Sequence, residues 1–503
     1  MEVSNVASKR PSDDEITISN HSSLFLNGRI TNNRSLIKPL LKPIGLVKNK
    51  KVYADPSSNH WSSSENNSNN SWNVNFGDGN FNNNNKYNGM RVRPVVAYDT
   101  PTDFLNLVVT AFHDCCKNKR TSKACIDYCE IASDDLPVLA HELYTCTYQP
   151  GVSTCFLVKY PKYREVFAAC FRDRIVHHFL VLLLNPLFEQ RFVEQGNVSY
   201  NCRKGFGTLK AQQAAFDAVK KATNNYQTEA WVYRGDIVSF FMSIDKRILW
   251  DKMEPFVKER YKGNYLNQVL CAAETIVFHC PEKHCIFNTD ITEWEKHVET
   301  HKSLFGNHDF QGMPIGNITT QIFVNFLMSY FDAFVIAWLQ AHSLAVYYLR
   351  FVDDFLLMCT DKSLLKQLAK DARAFLANEL EITLHADKYH FQRASHGFAF
   401  VGAYLKNGRI YLSKRTLARF RERVHGFNEM MKNKQVITFA DLRRIEQVVN
   451  SYLGFCKGKS TYAQRKNILL QFGHEFYRYF CIAGHYERIV IKLKVKPQYL
   501  FAV

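Results

Sequence analysis

The chain has no apolar run with the length and purity of a membrane span: its most apolar stretches, around 178–188 and 322–339, are broken by His, Asn, Gln or Asp. The opening residues, MEVSNVASKRPSDDE, hold no apolar core and no small-residue cleavage site, so no secretory signal is expected. A regular cysteine framework is also missing. The fourteen Cys are scattered, as free thiols in a reducing compartment would be, and the cytoplasm is the expected location. No internal repeat is visible. Acidic residues are in short supply, 47 Asp and Glu against 64 Lys and Arg, for a formal net charge of +17. That surplus suits a polyanionic partner, because each phosphate neutralised by Lys or Arg releases condensed counterions.

What is present is a 503-residue chain, 46% hydrophobic and 22% charged, long enough for several subdomains. Residues 1–95 differ in texture from the rest. Ser and Asn dominate 57–89, with Asn82 to Asn85 in succession and almost no apolar period, the pattern of a linker or adaptable surface segment. The run 71–95 also resembles the closing segment of C-type-lectin and formylglycine-generating-enzyme-like folds, which implies at most an ordered strap. Helical patterns prevail from about 100 to 230, including apolar positions at helical spacing over 171–192 and a glycine-punctuated loop at 201–216. Strand-like runs follow at 231–241, 345–359 and 398–405, with a helix over 363–379 and basic helices after 412.

The strongest chemical signal is FVDDF at 351–355. Adjacent carboxylates inside an apolar, β-prone run are costly unless compensated. A tight hairpin presenting both to a divalent metal is the usual solution. A second carboxylate has the same context: in RGDIVSFFMSID, Asp236 ends an apolar strand ahead of Phe240 and Phe241. Two-metal phosphoryl transfer needs carboxylates on neighbouring strands, and Asp236 with Asp353 and Asp354 could supply them. Asp245 reads instead as a helix N-cap.

These segments resemble the ordered motif series of reverse transcriptases, over roughly 160–470. FRDRIVHH (171–178) and RKGFGT (203–208) are similar to fingers motifs, GDIVSFFMSID to motif A, and QGMPIGNITTQIFVNFLM (311–328) to motif B. YLRFVDDF is similar to motif C, LHADK (384–388) to motif D, GFAFVG (397–402) to motif E, and NSYLGFCKGK (450–459) to the thumb. The resemblance implies that Asp236, Asp353 and Asp354 bind two Mg2+ ions and that Lys388 acts as general acid toward pyrophosphate. It makes Phe241 a steric gate favouring dNTPs. It sets Arg203 and Lys204 on the triphosphate, and Gln311, Gly312 and Pro314 along the nascent pair and primer. Motif C departs from the commoner pattern by carrying Val352 in place of Ala. The implied fold is α+β, a right hand: extension 1–95, fingers 96–230, palm 231–410 with an insertion at 278–302, and thumb with tail 411–503.

That insertion holds Cys280, Cys285, His297 and His301, with C-x4-C and H-x3-H spacings that make them candidate ligands of a structural zinc. The two His share a metal only if one helix runs across 293–301; otherwise the four are coincidental residues of a surface insertion.

No RNase H-like constellation or endonuclease motif is seen after the thumb. The compact form resembles bacterial chromosomal reverse transcriptases, the defence-associated class in particular. That implies an RNA-templated DNA polymerase acting against phage with a noncoding RNA template, a DNA product and no membrane. A second polymerase or a homo-oligomer is a further implied partner. Diversity-generating or retron-type enzymes, or a template-independent DNA polymerase on the same fold, stand as alternatives.

Overall fold

The computed structural model describes residues 98–159, 162–342, 347–385, 390–406 and 408–493, together with the backbone of four earlier strands. Those strands are β1 (Asn59–Glu65), β2 (Asn70–Asn75), β3 (Phe81–Asn85) and β4 (Arg91–Val92), in the sheet order β3-β2-β1-β4. The segment expected to be a linker thus carries three strands. Ladder hydrogen bonds are made by the main chain, which an Asn- and Ser-rich sequence supplies as well as any other. The rest of the expected extension lies outside the described residues.

Two compact units follow, Met1–Gln190 with Phe241–Leu327, and Arg191–Phe240 with Met328–Val503. The first is mainly helical. α1 (Thr102–Cys116), α2 (Lys123–Cys129) and α3 (Ala132–Tyr144) precede a long helix, Phe171–Glu194. α1 buries Phe104, Leu105, Val108, Phe112 and Cys115, the three- and four-residue spacing of one helical face. The FRDR run does structural work: Arg172 Nε donates to both Asp135 oxygens at 3.0 and 2.9 Å, and its Nη1 donates to Glu142 at 2.7 Å. Asp173 accepts from the Tyr148 hydroxyl at 2.7 Å and the Gly151 amide at 2.9 Å.

His177 on the same helix is buried, its Nδ1 2.7 Å from the Thr319 hydroxyl. Burial, with lesser effects of His279, His178 and Arg174, pushes its pKa down to about 3. The folded unit holds it neutral, while the unfolded chain takes up a proton below about pH 6.5. Its stabilisation is complete above that pH and is lost progressively as pH falls toward 3. Between pH 7 and pH 5 this group is expected to cost about 2 kcal/mol, read from urea midpoints, with a shallower slope in His177→Gln.

A small sheet completes the unit. β5 (Ser153–Val158) pairs antiparallel with β6 (Arg164–Ala168), and the strand Cys285–Phe287, β8 in chain order, pairs in parallel with β5. Glu165 on β6 is buried and accepts from the Ser303 hydroxyl at 2.5 Å and the Leu304 amide at 2.8 Å.

The second unit is organised by β7 (Trp231–Gly235), β9 (Tyr347–Phe351), β10 (Asp354–Cys359) and β11 (His390–Arg393), antiparallel in the order β11-β7-β10-β9. Alternation along β10 separates two faces. Leu356 and Met358 join Ala211, Ala215, Ala218 and Val219 of the helix Thr208–Ala222, where small side chains admit close approach. On the other face Phe355 meets Phe331, 5.0 Å between ring centroids, and Phe331 in turn meets Phe375 of the helix Lys362–Glu379. Gly235 is required there, since a Cβ would overlap the Phe355 ring. After a three-stranded sheet (398–412), the basic helix Lys414–Asn433 and the helix Phe439–Phe455 enclose a separate core around Phe420, Ile445 and Phe476.

Among the described residues one helix, Ile318–Ala341, is long and apolar enough to cross a membrane, and 67% of its most apolar window is buried inside the protein. It carries Asp332, fully buried and bonded to Arg350.

Candidate active site

β9 and β10 are joined by two residues, Val352 and Asp353, so FVDDF is a tight hairpin. Val352 takes φ 59°, a left-handed conformation that a β-branched residue adopts only under constraint. The constraint comes from β9: Arg350 Nη1 donates to the Val352 carbonyl at 3.2 Å. The guanidinium is itself fixed by Asp332, Nε to Oδ1 at 2.7 Å and Nη2 to Oδ2 at 2.6 Å, and Tyr348 adds a 2.6 Å bond to the same carboxylate.

The register places Asp236 beside this hairpin. Phe355 pairs with Gly235, so Asp354 and Asp236 stand one residue beyond the last paired positions of β10 and β7. The Asp236 carbonyl accepts the His385 amide at 3.0 Å, which anchors the strand end. Burial raises the Asp354 carboxyl to about 6, Asp353 and Asp236 add to the rise, and Arg234 opposes it. Arg234 Nε lies 4.0 Å from Asp354 Oδ1, buried and without a hydrogen bond of its own. Three acids against one cation leave an excess of negative charge. No choice of one oxygen from each of the three carboxylates falls within a common 4.8 Å. Oxygen donors with uncompensated charge at facing strand ends are the set a hard divalent cation takes, so the residues fit Mg2+.

In the first unit, Asp245 caps the helix Lys246–Arg260, accepting from the Arg247 and Ile248 amides at 2.7 and 3.3 Å. The loop carrying Gln311, Gly312 and Pro314 is tied to the residues before that cap. Gly312 N–H donates to the Ile244 carbonyl and Met313 N–H to the Phe241 carbonyl, each at 2.8 Å. Gly312 has φ 92°, and a Cβ there would overlap Asn307 and Leu304. Gly316, φ 136°, lies against the Phe167 carbonyl with no room for a side chain. The Phe241 ring is half-buried and Gln311 half-exposed, while Gly312 and Pro314 are buried.

Other expected site residues are placed differently. Arg203 is buried rather than presented to a triphosphate: it donates to the Ser199 carbonyl at 2.9 Å and to Asn197 Oδ1 at 2.7 Å, and stacks 4.0 Å over Phe206. Lys204 is exposed. Lys388 lies outside the described residues.

The four candidate zinc ligands are not brought together. Cys280 Sγ accepts from Lys246 Nζ at 3.3 Å and donates to the Asp309 carbonyl at 3.4 Å, whereas Cys285 sits on β8 beside Cys155. The His297 ring stacks flat on Tyr163 at 3.8 Å, and His301 pairs with Glu299 at 3.2 Å. The helix that had to run across 293–301 stops at His297, so His301 belongs to a separate 3-10 turn. Phe287 and Trp294 do pack on one another, 5.7 Å apart, with Phe305 as third member.

Sequence reasoning passed over Arg234 and Asp332. Arg234 had a local signal, standing two positions before Asp236 on a strand and hence on its face. Asp332 had none, since its partner is 18 residues away.

Residues 159–405 match the family model described as reverse transcriptase (RNA-dependent DNA polymerase). No curated protein matches the chain in sequence. Among solved structures, a Candida tropicalis telomerase truncated from its C-terminal domain is 14% identical, over 53% of this chain and 56% of that one, with a TM-score of 0.37. The Candida albicans telomerase with a TWJ fragment of telomeric RNA is 11% identical, over 66% and 59%, with a TM-score of 0.40. Apo Candida tropicalis telomerase is 12% identical, over 66% and 60%, with a TM-score of 0.39. The chain thus spans 56–60% of the length of these chains. The fold is an α+β right-hand polymerase with an antiparallel palm sheet.

Proposed function

We propose that this chain, which carries the reverse transcriptase domain of an RNA-directed DNA polymerase, copies a noncoding RNA into DNA at Asp236, Asp353 and Asp354. One observation carries the assignment of the site: the β7–β10 register sets Asp236 at the strand end facing the Asp353–Asp354 hairpin. These three side chains would hold two Mg2+ ions. When bound, the ions supply activation of the primer 3′-hydroxyl and neutralisation of the leaving pyrophosphate. The protein's own part is positioning. Arg350 clamps the hairpin turn, Gly235 lets Phe355 seat the strand, and the positive guanidinium of Arg234 stands beside Asp354.

The proposed division of labour keeps fingers at 96–230, palm at 231–410 and thumb at 411–503. The roles proposed for Lys204 and for Gln311, Gly312 and Pro314 are contacts to the nucleotide and the primer, and that for Lys388 is the general acid. Phe241 selects dNTPs by crowding a 2′-hydroxyl. Phe241→Ala is therefore expected to raise incorporation of NTPs relative to dNTPs by about 10- to 100-fold, as loss of one steric contact does, measured by competing the two on one primed template. An unchanged ratio would make the ring simple packing.

The finer reading is a bacterial defence enzyme working in the cytoplasm with its own RNA. Its support is the resemblance of the motif series and the Asn-rich extension to that class, while the +17 charge suits an RNA partner and fourteen cysteines without a disulfide suit a reducing compartment. Primer extension by the purified chain on RNA and DNA templates, with sequencing of the nucleic acid that co-purifies, tests it. Extension on RNA with dNTPs and one recurrent RNA species are expected. Incorporation of NTPs alone, or no incorporation on any template, overturns the reading.

A further inference from the structure

We propose that Cys116, Cys125 and Cys129 form a thiolate site for zinc that clamps α2 to the end of α1, with the fourth coordination position left to a non-protein ligand. Cys116 is the last residue of α1, and Cys125 and Cys129 are four apart on α2, hence on one face. Their three sulfurs all lie within 4.8 Å of one another, and Cys125 Sγ is 3.5 Å from Cys116 Sγ. In a tetrahedron with Zn–S bonds near 2.3 Å, neighbouring sulfurs stand about 3.8 Å apart. The cluster is therefore close to the spacing the ion requires, without rearrangement of either helix. All three residues are buried.

The chemistry favours a soft metal over the competing readings. Three thiols suit zinc and not the hard cation proposed for the carboxylates. A disulfide would use two and leave the third. Plain core packing accounts for buried cysteines singly, but gives no reason for three sulfurs to converge on one point. Zinc with three thiolates carries a net negative charge, and Lys117, Lys119 and Arg120 stand in the turn between the two helices. The turn between the helices is basic, with Lys117, Asn118, Arg120 and Thr121 lining a depression on its solvent side.

There is also something for a clamp to hold. α2 has only seven residues and no side-chain N-cap, a length that is marginal alone in water. Its entry turn rests on local bonds, Lys119 N–H to the Cys116 carbonyl at 3.1 Å and the Ser122 hydroxyl to the Lys119 carbonyl at 2.8 Å. Asn118 takes φ 60° to make it.

The test uses the full chain purified under reducing conditions, with zinc measured by elemental analysis and then exchanged for Co2+. One zinc per chain is expected, with the visible bands of tetrahedral thiolate cobalt. Cys125→Ser and Cys129→Ser should each lower metal retention more than tenfold, while Cys280→Ser and Cys456→Ser retain it. Because a serine variant could fail to fold, alkylation of the wild type followed by mass spectrometry provides a second readout. Zinc should protect Cys116, Cys125 and Cys129, and a chelator should remove that protection. Absence of zinc and cobalt binding, metal that follows Cys280, or unprotected thiols in the zinc-loaded protein would each overturn the site. None of these readouts involves polymerase activity, so failure here leaves the carboxylate assignment untouched.

Discussion

Replacing Asp353 and Asp354 together with Ala abolishes nucleotide incorporation, by about 1,000-fold or more, while RNA binding and thermal stability are kept. The size follows from losing several kcal/mol of charge stabilisation in the transition state. The retained stability follows from electrostatics at the hairpin. Asp354 is pushed up to about 6 by burial and by the neighbouring acids, so these carboxylates repel one another in the folded chain. Removing them relieves that repulsion, and a small rise in melting temperature is the expected direction. Primer extension, filter binding and thermal melting on one preparation separate the cases. Synthesis that survives in the double variant would sink the assignment of chemistry, and lost RNA binding would show that the acids hold structure instead.

A second substitution should act through stability. Asp332→Ala leaves the Arg350 guanidinium buried, with neither group exposed to solvent in the native protein, and is expected to cost about 3–5 kcal/mol. Tyr348 also loses its acceptor. Replacing both members with apolar residues of similar volume, Asp332→Leu with Arg350→Met, should recover much of that stability. It should not recover activity. Arg350 also holds the Val352 carbonyl, and Val352 keeps a left-handed backbone in the turn that presents Asp353. Urea denaturation reads the first effect and primer extension the second. A double variant with full activity would show that the hairpin keeps its shape without the clamp.

Parts of this fold can be read directly from local pattern. FVDDF sits between Tyr347–Leu349 and Phe355–Leu357, and a hairpin lets such flanks pack while the turn carries the two acids. Asp245 follows Ser243 at the start of a helical run and does cap it. Arg203 was misread for the opposite reason. Beside flexible glycines it looks available, but Asn197, Ser199 and Phe206 fold back to enclose it. The zinc-like quartet failed on a helix end, because the chain turns after His297 and breaks the spacing on which the pairing of two histidines depends. The three thiols that do converge were hidden among scattered cysteines, eight residues of turn and helix separating the first from the second.

By itself the sequence determined the tight hairpin at FVDDF, the strand end at Asp236 and the order of the motifs, which depend on residues a few positions apart, whereas the strand-like runs 231–241 and 398–405 are each broken in the structure. Only the tertiary structure decided which distant groups meet: Gly235 under Phe355, Asp332 with Arg350, and Cys116 with Cys125 and Cys129. The physical reason is that backbone periodicity and turn chemistry act locally. Burial of a charge or convergence of three sulfurs depends on how helices and strands pack, and a linear pattern carries no distance across that packing.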